Sequence, residues 1–114
     1  MAHLHENSIV HDSNWKVSVE NYSECYHCKV VHKYITSTVY SGTDYRISVE
    51  NNIVRHHSPR HTERDLHGDL HIWTLWPNTA IQLYPMYRSL NIRQFQCVGP
   101  RETVYKYIWY IDPD

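Results

Sequence analysis

Leu90-Asn91-Ile92-Arg93-Gln94-Phe95-Gln96-Cys97-Val98 alternates between apolar and polar side chains. After Gly99-Pro100-Arg101-Glu102 comes a second β-rich run, Thr103-Val104-Tyr105-Lys106-Tyr107-Ile108-Trp109-Tyr110-Ile111. A period of two places successive side chains on opposite faces of an extended chain, and the Gly-Pro between the runs marks a tight loop. This pair predicts a long antiparallel hairpin. Working backward, Ala80-Ile81-Gln82-Leu83-Tyr84 and Leu70-His71-Ile72-Trp73-Thr74-Leu75-Trp76 read as two more strands joined at Pro77-Asn78, with Pro85-Met86 interrupting the pattern before Leu90. Tyr45-Arg46-Ile47-Ser48-Val49-Glu50 and Ile53-Val54-Arg55-His56-His57 flank Asn51-Asn52, a hairpin signal. The polar stretch from Ser58 to Gly68 reads as a loop. The sum is an antiparallel meander of five or six strands.

N-terminal to the meander the period changes. Asn14 is a good helix N-cap, and the next twenty residues contain neither Gly nor Pro, so one long helix is expected from about Trp15 through His32. Thr36-Ser37-Thr38 and Ser41-Gly42 mark its end and a loop. Residues 1–13 read as polar and irregular. The class is therefore α+β, with no repeats and no linker. A sheet of this size needs a cover over its hydrophobic face, and one helix is a small cover, so the chain reads as part of a domain.

Composition narrows the functions. The chain has 114 residues, enough for one small domain. A net charge of −1 excludes electrostatic attraction to nucleic acid or an anionic membrane as a default role. Its apolar runs are too short to span a bilayer, and Met1-Ala2-His3-Leu4-His5-Glu6 has no secretory signal pattern. Three cysteines, two of them in one short segment, do not form a disulfide framework, so a cytoplasmic location is the expectation. Ten histidines raise the prospect of a metal or proton-transfer site.

The chemistry concentrates in Glu24-Cys25-Tyr26-His27-Cys28-Lys29-Val30-Val31-His32. On a helical wheel of about 100° per residue, Asn21, Glu24, His27 and His32 share a face, with the two imidazoles about 140° apart. Both reach one ion only if the helix widens into a π turn or breaks between Cys28 and His32. Two imidazoles and one carboxylate suit non-heme iron(II), leaving positions for dioxygen and substrate. Glu24 is either that carboxylate or a group that orients an imidazole. Spacing alone also admits a half-buried helix with incidental polar residues. A zinc site from Cys25, Cys28, His32 and Cys97 is a third reading, although zinc-binding pairs usually sit on turns and no second compact pair follows.

Asn14-Trp15-Lys16, then Glu20-Asn21-Tyr22-Ser23-Glu24-Cys25-Tyr26-His27-Cys28, then His32, resembles the catalytic-domain motif of Rieske non-heme iron oxygenase α subunits. It looks most like the branch that oxidises quaternary ammonium compounds such as carnitine, choline and glycine betaine. Leu75-Trp76-Pro77-Asn78 and Ile81-Gln82-Leu83-Tyr84 resemble the family's central strands, so the similarity runs from about Asp12 to Ile111. The resemblance implies a helix-grip (START-like) fold, a curved antiparallel sheet around a long helix. It implies that His27 and His32 ligate a mononuclear Fe(II), that Glu24 bridges toward a Rieske [2Fe–2S] cluster in a neighbouring subunit of a homotrimer, and that Asn21 lies near the iron. It implies a reductase, dioxygen and a small organic substrate as partners. Hydroxylation beside a quaternary nitrogen then gives a hemiaminal that splits into an amine and an aldehyde.

Two departures matter. Cys25-Tyr26-His27 has Cys-x-His spacing, but no Cys-x-x-His pair accompanies it to make a Rieske ligand set, and the family's third iron ligand is an Asp on a helix downstream of the sheet. Asp112 and Asp114 follow the last strand too closely to be assigned. Residues 1–114 thus read as a partial catalytic domain of the ring-hydroxylating α-subunit type, inactive alone, with the Rieske domain absent or on a partner chain. The alternatives are an aromatic-ring hydroxylating dioxygenase fragment and a non-catalytic ligand-binding protein of the same fold. Trp73, Trp76, Tyr84 and Tyr87 are candidates to meet a substrate cation, with core packing the plainer reading of each. His56, His57, His61, His67 and His71 read as surface or loop residues, and the adjacent pair His56-His57 must point to opposite faces of a strand.

Overall fold

A single antiparallel sheet dominates the computed structural model, which describes residues 1–38, 44–59 and 68–113. Its strands are β1 (Ala2–His11), β2 (Arg46–Glu50), β3 (Ile53–Ser58), β4 (Leu70–Leu75), β5 (Thr79–Tyr84), β6 (Ser89–Gly99) and β7 (Glu102–Ile111). The order is β1-β7-β6-β5-β4-β3-β2, so β2 to β7 form the expected meander. Asn51 and Asn52 both hold positive φ (47° and 63°), the backbone that a two-residue hairpin needs and that asparagine tolerates. Pro85–Tyr87 make a single 3₁₀ turn where the alternation breaks.

β1 corrects the expectation of an irregular N-terminus. It pairs antiparallel with β7 over most of its length, with a register shift between His3 and His5. Nearly every residue of this edge strand is exposed. It therefore carries no buried face to impose an alternation, and backbone pairing holds it, with Lys106 and Glu6 in contact at 2.8 Å.

The long helix is also corrected. Three short helices replace it: α1 (Trp15–Tyr22), α2 (Cys28–Val31) and α3 (Lys33–Thr38). Asn14 caps α1 as expected, its side chain accepting from the Lys16 amide at 3.0 Å. Ser23 closes the helix, its amide donating to Val19 and Glu20 carbonyls. Glu24 then turns its carboxylate back onto the Tyr26 amide and the His27 ring. Such local side-chain bonds compete with helix continuation. Cys25 and Cys28 form a disulfide, which corrects the expectation of unpaired thiols. The helix-grip picture of one long helix thus gives way to a predominantly antiparallel sheet with few helices. The loop expected at Ser41-Gly42, and His61, His67 and Asp114, lie outside the described residues.

α1 lies on one face of the sheet. Val19 is 2% exposed and packs with Ala80, Phe95 and Tyr105, flanked by Trp15, Tyr22 and Tyr107. A second cluster joins Leu70, Ile72 and Tyr84 to Tyr22 and Trp109. Burying a side chain the size of Phe95 contributes about 2–3 kcal/mol. Polar side chains nevertheless share this inner face: His56, Thr74, Gln82, Asn91 and Thr103 are all buried. His56, Ile72, Gln82 and Asn91 are successive register partners and form one row across β3 to β6. Leu75, Ile81, Leu83, Leu90 and Ile92 alternate with these inward residues and are half-exposed on the outer face. A buried face this polar lines a cavity as much as it fills a core. Among the described residues no helix is long and apolar enough to cross a membrane.

Candidate metal and substrate cavity

Between the inner face and the broken helices lies a cavity of about 460 Å³. Asn21, Glu24, His27 and His32 all line it, so the fold gathers the four residues singled out in the sequence. The His27 and His32 rings meet edge to face with centroids 5.2 Å apart. On a regular helix they would diverge. The chain breaks on both sides of Cys28–Val31 rather than within it: residues 23–27 leave α1, and His32 ends α2 at φ −106°, ψ 51°. That placement lets the two rings converge.

Glu24 Oε1 lies 2.5 Å from His27 Nδ1, and the carboxylate also accepts from the Tyr26 amide. The His27 hydrogen bond holds the Glu24 carboxyl below its ordinary pKa. Its contact at Nδ1 leaves Nε2 as the ring's donor atom toward an ion. Cys25 and Cys28, joined in a disulfide, have no thiolate to offer zinc, and Cys97 is exposed. The zinc reading fails on those contacts. Asp112 is ion-paired with Arg88 at 2.8 Å and does not line the cavity.

The opposite wall holds a group that the sequence reading missed. Arg93 points inward from β6, its Nε donating to Asn91 Oδ1, Nη1 to the Tyr105 hydroxyl at 3.1 Å and Nη2 to the Tyr84 hydroxyl at 3.3 Å. The guanidinium sits 5.0 Å from the Tyr22 ring centre and 5.6 Å from that of Tyr107. Burial works against its charge, but the surrounding phenols outweigh it and its pKa lies above the ordinary arginine value. Burial in turn pushes Tyr84 and Tyr105 up, and pushes Tyr107 up to about 12. One signal for Arg93 was available: it lies two residues from both Asn91 and Phe95, on the face that proves to be buried.

Of the aromatic candidates, Tyr84 lines the cavity. Trp73 lies on the outer face, stacked on His71. Trp76 and Tyr87 are each 52% exposed, and neither lines the cavity. His56 corrects the surface reading. It is 2% exposed on the inner face and lines the cavity, its Nδ1 against the Tyr45 hydroxyl, while burial pushes its pKa down. His57, its neighbour, points outward as expected.

The family model described as the ring hydroxylating alpha subunit (catalytic domain) matches residues 1–59. A quaternary ammonium Rieske monooxygenase, CntA, in complex with an inhibitor superposes with a TM-score of 0.83 at 22% identity, over 98% of this chain and 30% of that one. CntA in complex with substrate L-carnitine superposes with a TM-score of 0.78 at 23% identity and the same coverage. Naphthalene 1,2-dioxygenase from Rhodococcus sp. bound to indole gives 0.70 at 13% identity, over 95% of this chain and 34% of that one. The chain therefore spans about a third of the length of these structures, and at these identities the likeness concerns the fold. No curated protein sequence matches the chain.

Proposed function

Because this chain belongs to the family of ring-hydroxylating α-subunit catalytic domains, we propose that it forms part of the mononuclear iron centre of a Rieske-type oxygenase. The observation that carries this reading is the convergence of His27 and His32 in one cavity, with Glu24 on His27 Nδ1. The donor set fits the metal that the family implies. Two imidazoles suit Fe(II), and a carboxylate on the first ring fixes its tautomer. When bound, the iron supplies the activation of dioxygen. This chain's own residues do the positioning. His27 and His32 hold the ion, Asn21 lines the space beside it, and Glu24 holds the His27 ring in orientation. Among the described residues no third donor joins His27 and His32 within ligand reach. In this reading residues 1–114 contribute to a catalytic domain whose remaining ligand and [2Fe–2S] cluster come from other chain segments or subunits. In this reading Glu24 links the iron site to that electron supply, supported by the inter-subunit electron transfer described for one structural relative. The reading includes a reductase and a homotrimer.

Arg93 supports a finer reading of the substrate. A guanidinium among phenols is a poor lining for an aromatic hydrocarbon and a good anchor for a carboxylate. L-carnitine and gamma-butyrobetaine, the substrates held by two structural relatives, each carry a carboxylate and a trimethylammonium group. We infer a zwitterionic quaternary ammonium substrate, with its acid end on Arg93 and its cationic end against the rings of the cavity, where each cation–π contact contributes about 0.5–2 kcal/mol. Calorimetry with the Fe(II)-loaded chain tests this. L-carnitine should bind more tightly than choline, and Arg93→Gln should remove the difference. Equal affinities for both ligands in the unsubstituted chain would contradict the assignment.

A further inference from the structure

The outer face of the sheet carries a second cluster of metal-ligating groups. His57 on β3 and His71 on β4 are direct cross-strand partners, and Asp69 precedes His71 by two residues and so shares its face. The two imidazoles stack at 5.0 Å with planes 18° apart, and Asp69 Oδ2 lies 2.8 Å from His57 Nε2. One donor atom from each of the three residues falls within 4.8 Å of the other two. Trp73, next on the same face, stacks on His71 at 5.3 Å. The buried His71 Nδ1 has no hydrogen-bond partner among the described residues. On the other side of the same strands, His56 and Ile72 line the cavity, so this cluster stands back to back with the candidate iron site and shares no residue with it.

We propose that His57, Asp69 and His71 bind a divalent transition-metal ion of the zinc class on the outer face of the sheet. Two imidazoles and one carboxylate are a three-ligand zinc set that leaves a fourth position for water. An ion would take the place of the proton that bridges His57 and Asp69. Metal bonds of about 2.0–2.2 Å bring donor atoms to roughly 3–4 Å from one another, so closing the site asks for small side-chain adjustments only. The two histidines stand on paired strands, which fix their separation better than a loop would. The Trp73 ring walls the His71 side, limiting the solvent access and orientation of that imidazole. Nitrogen donors disfavour calcium and magnesium, which take oxygen ligands.

Equilibrium dialysis of the full chain against zinc tests the site, with His27→Ala/His32→Ala as the parent so that the cavity imidazoles contribute nothing. The parent should retain one zinc per chain. In that background His57→Gln and Asp69→Asn should each weaken binding by at least about tenfold, the range already seen for groups that merely support a ligand, with an unchanged circular dichroism spectrum. Cobalt substituted in the parent should show the absorption of a low-coordinate site, lost in His57→Gln. Asp69→Asn keeps the side-chain shape and decides the matter alone if His57→Gln does not fold. Absence of stoichiometric zinc in the parent, or zinc affinity in Asp69→Asn equal to the parent's, would overturn the proposal.

Discussion

The meander from β2 to β7 and the segment from Ser23 to His32 are built on opposite principles. In the sheet each strand is fixed several times over: by period, by turn chemistry and by register with two neighbours, or with one for the edge strand β2. In the short segment the path is fixed by a few contacts, chiefly Glu24 on the Tyr26 amide and His27 ring and the bridge from Cys25 to Cys28. On the reading proposed above, the sheet supplies the cavity wall and the segment the metal donors. Stability and chemistry are therefore carried by different residues, and substitutions should separate them.

The largest expected effect lies in the sheet. Phe95 is 2% exposed and packs on Tyr22 and Tyr105, so Phe95→Ala should cost about 3–5 kcal/mol in urea denaturation. A loss confined to the helices, with the sheet's cooperative transition intact, would break the division of roles. A smaller effect follows from the phenols on the cavity wall. Tyr107, Tyr105 and Tyr84 have folded pKa values raised above the unfolded value, mainly by burial. A raised pKa means that the folded chain binds the proton more tightly. That stabilisation is complete below the ordinary tyrosine pKa and lost as pH rises toward about 12, the Tyr107 value. Denaturation followed from neutral to alkaline pH should show this decline, and Tyr107→Phe should reduce it. The smallest effect on stability belongs to the segment. Glu24 is half-exposed, and Gln keeps the side chain's length and an oxygen to accept from the Tyr26 amide, so Glu24→Gln should leave the denaturation midpoint nearly in place. The same substitution should weaken iron binding about 10–100-fold through loss of the His27 orienter, measured by anaerobic dialysis. A shifted midpoint with unchanged iron affinity would reverse the two roles.

The same contrast explains what was legible in the sequence. β2 to β7 could be read because alternation and turn residues agree at each step. β1 could not: β2 is an equally exposed edge strand, but Asn51-Asn52 ties it to β3, whereas no short turn ties β1 to its partner β7 at the far end of the chain. The break after Tyr22 was hidden because no Gly or Pro marks it; it arises from a carboxylate folding back on its own chain. Even so, Asn21, Glu24, His27 and His32 were singled out by face and motif, and they meet in one cavity. Arg93 escaped because alternation reveals two faces without saying which is inner. In β6 the polar positions, Asn91 and Arg93, turn inward and the apolar Leu90 and Ile92 outward.

The central claim is that the broken segment brings His27 and His32 to one iron ion. The direct measurement is electron paramagnetic resonance of the nitric oxide adduct after anaerobic Fe(II) loading of the chain. The unsubstituted chain should give the high-spin iron–nitrosyl signal, and His27→Ala and His32→Ala should each abolish it while His57→Gln leaves it unchanged. A signal that survives both the His27 and the His32 substitutions would contradict the account.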